Sequence, residues 1–350
     1  MEILNPKQYE EYNNFVENHK CSEFMQCTDW HKVKNNWRQE VVVSRDESGK
    51  IVGGMNVLIQ TVPIFGCTFL YAPRGPVCDR HNEKVLADLK SGADFLAKKY
   101  KAYMFTMDPD VLSEDEEFKR IAQKMGFELF AGPDGFETIQ ARFNYKLYLE
   151  GRTEEELFAH INQKCRYNVR VAIKHGVEVK VCGKEYLDDF IRIMKVTGER
   201  DGFITRDKEY FERMMDALGE HVRLYIGFYE GKAVSGAITT NYGGKCCYVY
   251  GASDNAHRNV MPNYLMQWEM IKWAVETGCY VYDFQGVSGN ITDTTRPIYG
   301  LYRFKKGFNG TLEEYAGEFN YIYNKPMKNI VDLGVTVRKK LRRFKNKLKK

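Results

Sequence analysis

The chain has 350 residues, a 43% apolar share and a net charge of +5 at neutral pH. This length and apolar content predict two domains, each with its own core. No window approaches the roughly 20 apolar residues of a membrane span, and residues 1–15 lack the apolar segment of a signal peptide. We therefore expect a cytoplasmic protein. The nine cysteines form no CxxC pair and the seven histidines show no ligand spacing, which argues against a disulfide framework and a metal site.

The positive charge is concentrated at the end of the sequence. Residues 338–350 contain nine Lys or Arg and no acid, so the remainder carries about −4 by subtraction. Val337, Leu341, Phe344 and Leu348 recur among these cations at helical spacing. This pattern is typical of a helix on an anionic surface. We predict a basic amphipathic tail at 336–350 that contacts a membrane or the tRNA backbone; the alternative is a solvated, frayed terminus.

The first half of the sequence predicts a helix at about 7–18, followed by strands at 41–44, 51–60 and 67–71. A helix then carries the apolar stripe Val85, Leu89, Ala93 and Leu96. The strand 102–107 follows it and ends at Asp108, which precedes a proline.

The second half repeats this order. A helix is predicted at about 186–196, and the sequence then predicts strands at 223–228, 233–240 and 246–250, a helix at 263–277 and a strand at 280–284. One α+β module therefore occurs twice. We predict a first domain at 1–147 plus about 312–335, with the later segment packing back on it, and a second domain at 148–311.

This topology resembles the fold of acetyl-CoA-dependent (GNAT-like) acyltransferases, in tandem. Those enzymes bind the CoA pyrophosphate with a turn of the form Q/R-x-x-G-x-G/A before the central helix. The corresponding residues here, 74–79 and 258–263, lack the second pair of glycines, and Pro76 and Pro262 each remove a backbone donor. The residues therefore disfavour a CoA donor.

Several short segments occur in a fixed order along most of the chain: WHKVKNNW at 30–37, YAPRGPV at 71–77, RYNVR at 166–170, KHGV at 174–177, YVYGAS at 248–253 and LYRFK at 301–305. Together they resemble the Fem family of peptidoglycan-bridge aminoacyltransferases. The resemblance implies transfer of glycine, alanine or serine from aminoacyl-tRNA, without a cofactor, to the stem peptide of a lipid-linked or UDP-linked muropeptide. Residues 176–184 are too short for the helical arm of the longer members, so the compact type is expected.

Aminolysis of an aminoacyl ester requires a neutral amine and a stabilised oxyanion, but no metal or protein nucleophile. The family resemblance assigns oxyanion stabilisation to Lys305 and orientation or deprotonation of the attacking amine to Asp108. The alternatives are a surface lysine beside Lys306 and an ordinary turn or helix-capping aspartate.

The resemblance also implies substrate-binding residues, namely Lys34, Tyr103, Arg206, Tyr210 and Tyr250. Arg206 and Tyr210 are four residues apart, and we expect them on one helix face near an N-terminus that favours an anion. The two tyrosines at 210 and 250 could equally be half-buried core residues.

A basic helix is predicted at the start of the second half. It begins with the capping box Thr153–Glu156 and carries Arg166, Arg170 and Lys174 on one face. Such a face would bind tRNA phosphates with salt-dependent affinity, although a solvated face explains it equally well.

We therefore expect a monomeric transferase whose partners are aminoacyl-tRNA and a peptidoglycan precursor. The basic tail favours the lipid-linked precursor and a location at the inner face of the plasma membrane. Two other classes stay open: a CoA-dependent N-acyltransferase, and a non-catalytic protein that binds tRNA or membranes.

Overall fold

The structure is a computed structural model that describes residues 1–63, 65–296 and 298–347, with side chains to Val337. The elements of the first half are β1 Glu2–Leu4, α1 Tyr9–Asn18, α2 Trp30–Val33, β2 Arg38–Arg45, β3 Ile51–Val62, β4 Cys67–Ala72, β5 Val77–Cys78, α3 Glu83–Tyr100, β6 Ala102–Met107, α4 Glu116–Lys124 and β7 Glu128–Phe130.

The remaining elements are β8 Phe143–Tyr148, α5 Glu154–His160, α6 Gln163–Lys174, β9 Glu178–Cys182, α7 Leu187–Asp201, α8 Lys208–Leu218, β10 Val222–Tyr229, β11 Lys232–Tyr242, β12 Lys245–Ser253, α9 Pro262–Glu276, β13 Val281–Gly286, α10 Tyr299–Lys306, β14 Thr311–Glu314, β15 Glu318–Ile322 and α11 Lys325–Lys347. Because β9 begins shortly after α6 ends, no helical arm is inserted between them.

Two mixed sheets organise the chain. The first has the order β1-β2-β3-β4-β6-β15-β7, with β5 pairing β3, and the second has the order β14-β8-β13-β12-β11-β10-β9. Each sheet contains one parallel pair in its middle, β4 with β6 and β12 with β13. Helices α3 and α9 form the crossovers that parallel neighbours require. The repeated module predicted from the sequence is confirmed, as is the return of β15 to the first sheet.

The sheets correct the domain boundaries predicted from the sequence. Strand β8 pairs with β13 and β14, so it belongs to the second sheet, and the boundary predicted after residue 147 falls inside it. Strand β14 also belongs to the second sheet. The second boundary, predicted near residue 312, therefore falls inside this strand and not before it. The pairing partner of a strand decides its domain, and local apolar patterning does not reveal that partner.

The basic helix predicted from residue 153 is two helices. Its capping box is present at Thr153 and Glu156, but α5 ends at His160 and α6 begins at Gln163. Asn162 lies at the break, and its N–H donates to the carbonyl of Gly307 at 3.0 Å. This long-range contact turns the chain between the two helices.

Alternation in the strands places apolar side chains in different cores. In β2, Val41 and Val43 face one core and Val42 faces another. The first of these cores is shared by both halves, because it also contains residues of α7, α8, β10 and β11. Helices α3 and α4 cover the other face of the first sheet. The shared core brings α2 against α8, which places Lys34 next to Tyr210.

Helix α11 starts on the first sheet and continues beyond it. Met327 and Val331 pack on the sheet, whereas Ile330, Leu333 and Val337 are 47%, 66% and 47% exposed. The tail predicted at 336–350 is therefore, as far as residue 347, the distal part of this helix. The predicted apolar positions Leu341, Phe344 and Leu348 lie outside the described side chains. In the described part of the chain, no helix has the length and apolar character of a membrane span.

Candidate active site

Four of the five residues expected to bind substrate lie together between the two halves. The Lys34 Nζ is 5.4 Å from the centroid of the Trp30 ring and 5.3 Å from that of Tyr210. The Arg206 guanidinium carbon lies 5.1 Å from the same tyrosine ring. The Tyr250 hydroxyl donates to the Tyr210 hydroxyl at 3.1 Å. We call Lys34, Arg206, Tyr210 and Tyr250 the anion cluster.

The anion cluster carries uncompensated positive charge. In residues 1–63, 65–296 and 298–337, no carboxylate forms a salt bridge with Lys34 or Arg206. Burial, and then the charge of Arg206, lowers the pKa of Lys34 to about 8. Two adjacent cations without a carboxylate form a site in which a bound anion is favourable.

The local structure at Arg206 differs from the sequence prediction. Asp207 is the N-cap of α8 and accepts a hydrogen bond from the Tyr210 N–H at 2.9 Å. Arg206 therefore precedes the helix, and the expectation that it shares a helix face with Tyr210 is wrong. The preceding loop nevertheless lays its guanidinium over the ring, so the expected contact is present.

Tyr103 does not join the anion cluster. It lies on β6 beneath α11, 7% exposed, with its ring centroid 6.1 Å from that of Phe69. Burial, and then the charge of Asp332, raises the pKa of its hydroxyl to about 12. Its surroundings are those of a packed aromatic residue, so a direct substrate contact stays a prediction.

Lys305 is buried, not a surface lysine. The residue lies on α10 and is 3% exposed. The Nζ donates to three carbonyls at the end of β13, those of Phe284 at 2.5 Å, Gln285 at 3.2 Å and Gly286 at 2.8 Å. Burial lowers the pKa of Lys305 to about 7, and the charge of Asp283 opposes that effect.

The separation of two strands makes room for this amine. Strands β12 and β13 pair over only three residues each, Lys245–Cys247 with Val281–Asp283, and then diverge. The Tyr248 ring, the next position on β12, has its centroid 6.0 Å from the Lys305 Nζ. Tyr250 of the anion cluster follows on the same strand. Strand β12 therefore connects the anion cluster to Lys305, at the carboxyl end of a parallel pair where α/β folds bind ligands.

Asp108 follows β6 and is 2% exposed. Its two carboxylate oxygens accept hydrogen bonds from the Arg74 N–H and the Tyr71 hydroxyl, both at 2.7 Å. Burial raises the pKa of Asp108 to about 7, while the charge of Arg74 acts in the opposite direction. The carboxylate holds the loop at Arg74, whose φ is +54°. This geometry fits a positioning role better than direct proton abstraction.

A buried ionic seam, which the sequence did not reveal, joins the two sheets. Asp110, just beyond β6, forms ion pairs with Arg80 and with Lys245 of β12, the second at 2.8 Å. On the second sheet, the Lys146 Nζ lies 2.8 Å from a carboxylate oxygen of Glu313. A lysine inside an otherwise buried strand is the sequence signal for such a pair, because a buried charge requires a partner.

The predicted tRNA-binding residues divide into two groups. Arg170 and Lys174 are exposed on α6, and the Arg170 guanidinium carbon lies 5.3 Å from the Phe158 ring centroid. Arg166 is half-buried and donates to the carbonyls of Ala159 and Ile161 at the end of α5. It therefore caps α5, and only the other two project into solvent.

The loop before α9 is the second of the two turns that were compared with the CoA-binding turn. Met261 at its N-cap has φ +56°, and Pro262 occupies the first helical position. That position consequently offers no N–H to a pyrophosphate. Within the described residues, no group of three or more His, Cys, Asp or Glu side chains is placed to hold a metal ion.

A family model described as the FemAB family matches residues 8–230 and 229–332. The chain belongs to the FemAB family. A curated FemAB relative, the lipid II:glycine glycyltransferase of Staphylococcus epidermidis, is 30% identical over 92% of this chain and 93% of its own length. The protein of the same name from Staphylococcus aureus is also 30% identical, over the same shares of both chains.

A crystal structure of FemX superimposes with a TM-score of 0.87 and 28% identity, over 95% of this chain and 100% of that one. This superposition therefore extends over both halves of the chain. The tandem fold expected from the sequence is therefore that of the family.

Proposed function

We propose that this FemAB protein transfers an amino acid, glycine, alanine or serine, from aminoacyl-tRNA to the stem peptide of a peptidoglycan precursor, and so builds the interpeptide bridge. The anion cluster carries the proposal, because Lys34 and Arg206 have no carboxylate partner among the described residues, and Tyr250 of the cluster lies on β12, the strand whose Tyr248 faces Lys305. The names of the staphylococcal relatives support lipid II as the acceptor class.

The anion cluster would hold the diphosphate of the acceptor. Lys34 and Arg206 supply the charge, and the Tyr250 hydroxyl, whose donor now serves Tyr210, can turn to a phosphate oxygen. Charge-assisted hydrogen bonds to phosphate are the stronger kind. A diphosphate is common to the lipid-linked and the UDP-linked precursor, so the cluster serves both.

Lys305 would stabilise the negative charge that develops on the ester carbonyl oxygen. The neutral amine of the stem peptide attacks the carbonyl carbon, the C–N bond forms, and the bond to the ribose oxygen then breaks. The proton lost by the amine passes to that leaving oxygen. A buried ammonium acts strongly here because water does not screen it. The step requires no metal and no cofactor.

Asp108 would act on the attacking amine through the loop that it holds. Each of its carboxylate oxygens already accepts a hydrogen bond, one from Tyr71 and one from the Arg74 N–H, so we assign it orientation of the acceptor site. The chain would act as a monomer, since Lys34 and Lys305, one from each half, complete the site within one molecule.

The donor tRNA would contact the exposed cations of α6, Arg170 and Lys174. Helix α11 would lie on the anionic inner face of the plasma membrane, with Ile330, Leu333 and Val337 towards the lipid. The positive charge of the sequence 338–350 would add electrostatic attraction to anionic headgroups. Both contacts would bring the donor and a lipid-linked acceptor to the same protein.

The decisive test offers labelled amino acids on a total charged-tRNA pool to lipid-linked disaccharide-pentapeptide and, separately, to its UDP form. We expect label in at least one acceptor, and none with Lys305→Met. Absence of label from both acceptors with the wild-type protein would refute the proposed function.

Membrane contact is tested by sedimentation with vesicles. Anionic vesicles should retain the protein and neutral vesicles should not, and Leu333→Ser with Val337→Ser should weaken retention. Both side chains are exposed, so these substitutions should leave the fold intact. Equal retention by the variant would contradict this orientation of α11.

A further inference from the structure

The end of β13 contains a backbone irregularity next to Lys305. Gln285 has φ +62°, a left-handed conformation that residues other than glycine rarely adopt. The pairing of β13 with β8 shifts by one residue between Asp283 and Gly286, which is the signature of a β-bulge. The Asp283 carboxylate accepts the Gln285 N–H at 2.6 Å and so holds the bulge in place.

This bulge explains how three consecutive carbonyls meet one amine. In a regular strand, successive carbonyls point to opposite sides, so they cannot converge. The left-handed Gln285 redirects the chain, and the carbonyls of Phe284, Gln285 and Gly286 all accept from the Lys305 Nζ. An ammonium has three donors, and the carbonyls occupy all of them. A left-handed residue costs about 1 kcal/mol and persists where its surroundings fix it.

We propose that Asp283 is a positioning residue for the transfer reaction: its carboxylate holds the turn at Gln285 that presents the carbonyls to Lys305. The negative charge of Asp283 also favours the ammonium form of this buried amine. This inference rests on the proposed function. Asp283 itself is buried and acts through the Gln285 N–H that it accepts.

The surroundings of Lys305 make Asp283 the dominant charge. From β12 the Tyr248 ring faces the amine, and on α10 itself Arg303 and Lys306 are exposed. From β8, Lys146 faces Asp283 but pairs with Glu313. Burial lowers the pKa of Lys305, and within the described residues Asp283 is the acid whose charge raises it.

The three distances also indicate which carbonyl would give up its hydrogen bond from the Lys305 Nζ when a substrate binds. The contact from the Lys305 Nζ to the Gln285 carbonyl, at 3.2 Å, is the longest of the three. The developing oxyanion of the ester would take the place of this carbonyl, while the other two keep the ammonium in position. A hydrogen bond to an oxyanion is stronger than one to a neutral carbonyl, so the exchange favours the transition state.

Asp283→Asn separates the two roles, because an amide oxygen still accepts the Gln285 N–H but carries no charge. We expect an unchanged KM and a profile of kcat against pH whose alkaline limb moves to lower pH by about one unit, since loss of a nearby charge shifts a pKa by that amount.

Asp283→Ala also removes the acceptor of the Gln285 N–H and should lower kcat by about 100-fold, as a displaced catalytic group does. Asp46→Asn is the matched control, because Asp46 lies in the exposed turn between β2 and β3 and its loss of charge should leave kcat and the pH profile unchanged.

A second measurement does not require turnover. The 13Cε resonance of Lys305 in lysine-labelled protein, assigned by its loss in Lys305→Met, reports the pKa directly, and Asp283→Asn should lower it. An unchanged resonance titration, or an unchanged alkaline limb in a variant with reduced kcat, would overturn the inference. Absence of transfer by the wild-type protein would instead refute the proposed function and leave the resonance titration as the test of Asp283.

Discussion

We expect Lys34→Met to raise the free energy of unfolding of the unliganded protein and, at the same time, to weaken binding of the acceptor diphosphate. Lys34 holds its charge between two aromatic rings and beside Arg206, without a carboxylate salt bridge in the described residues. Methionine keeps the unbranched apolar stem but removes the charge. The substitution therefore allows two effects of this charge to be measured separately: its destabilisation of the unliganded fold and its contribution to diphosphate binding.

The magnitude follows from the pKa of Lys34, which falls from 10.5 to about 8. At about 1.4 kcal/mol per unit, the charged form is penalised by about 3 kcal/mol. Solvent screening of the half-buried ammonium and the cation–π contacts, worth about 0.5–1 kcal/mol each, reduce the expected gain to about 1 kcal/mol. Because the folded pKa lies below the unfolded value, the penalty is full below pH 8 and disappears as the pH rises towards 10.5.

The assay is chemical denaturation of both proteins at pH 7 and at pH 10, combined with calorimetric titration of UDP-linked muropeptide at pH 7. The stability gain should be present at pH 7 and nearly absent at pH 10. The dissociation constant should rise about 10- to 100-fold, the equivalent of one charged hydrogen bond.

Lys32→Met provides the control, because Lys32 lies on α2 two residues before Lys34, pairs with Asp29 and has a side chain that is 68% exposed. A surface change of this kind should stay within about 0.5 kcal/mol and leave the affinity unchanged. A destabilised Lys34→Met at pH 7, or one that binds the diphosphate as tightly as wild type, would refute the reasoning.

Three further predictions follow from the same structure. Lys305→Met should lower kcat for transfer by about 100- to 1,000-fold, the loss expected for an oxyanion donor, while acceptor affinity is retained. Lys306→Met, at the exposed neighbour, should leave kcat within a factor of roughly two. Equal losses in the two variants would contradict the catalytic role of Lys305. Asp110→Ala should lower the free energy of unfolding by about 3–5 kcal/mol, because it leaves two buried cations unpaired, and a loss below about 1 kcal/mol in denaturation would show that the seam is hydrated. Arg170→Ala and Lys174→Ala should each reduce the slope of log K against log salt for tRNA by about one, measured by fluorescence anisotropy, and unchanged slopes would place the tRNA elsewhere.

Local patterns in the sequence predicted most of the elements. The stripe of Val85, Leu89, Ala93 and Leu96 is buried on α3, and the repeated order of strands and helices gave the tandem fold. The resemblance to the family supplied the anion cluster, which no spacing rule reveals, because Lys34 and Tyr210 meet only when two helices from different halves pack together.

The features that the sequence did not predict are those that depend on distant partners. Lys245 lies on β12 and Asp110 follows β6 of the other sheet, and nothing near either residue in the sequence identifies the other. The left-handed Gln285 was also missed, since glutamine gives no signal for positive φ; the neighbouring Asp283 and Gly286 are the residues that would have suggested a turn. The break between α5 and α6 was missed because Asn162 is held by Gly307, far along the chain.

The core shared by the two halves affects how this duplicated protein can fold. Residues as distant as Tyr12 and Phe211 are fully buried in one apolar cluster, so neither half can cover its own surface alone. A nascent first half leaving the ribosome would expose apolar side chains until the later strands arrive, and would depend on chaperones during that interval. The duplication has thus produced a single cooperative unit, in which a destabilising change in one half also loosens the other.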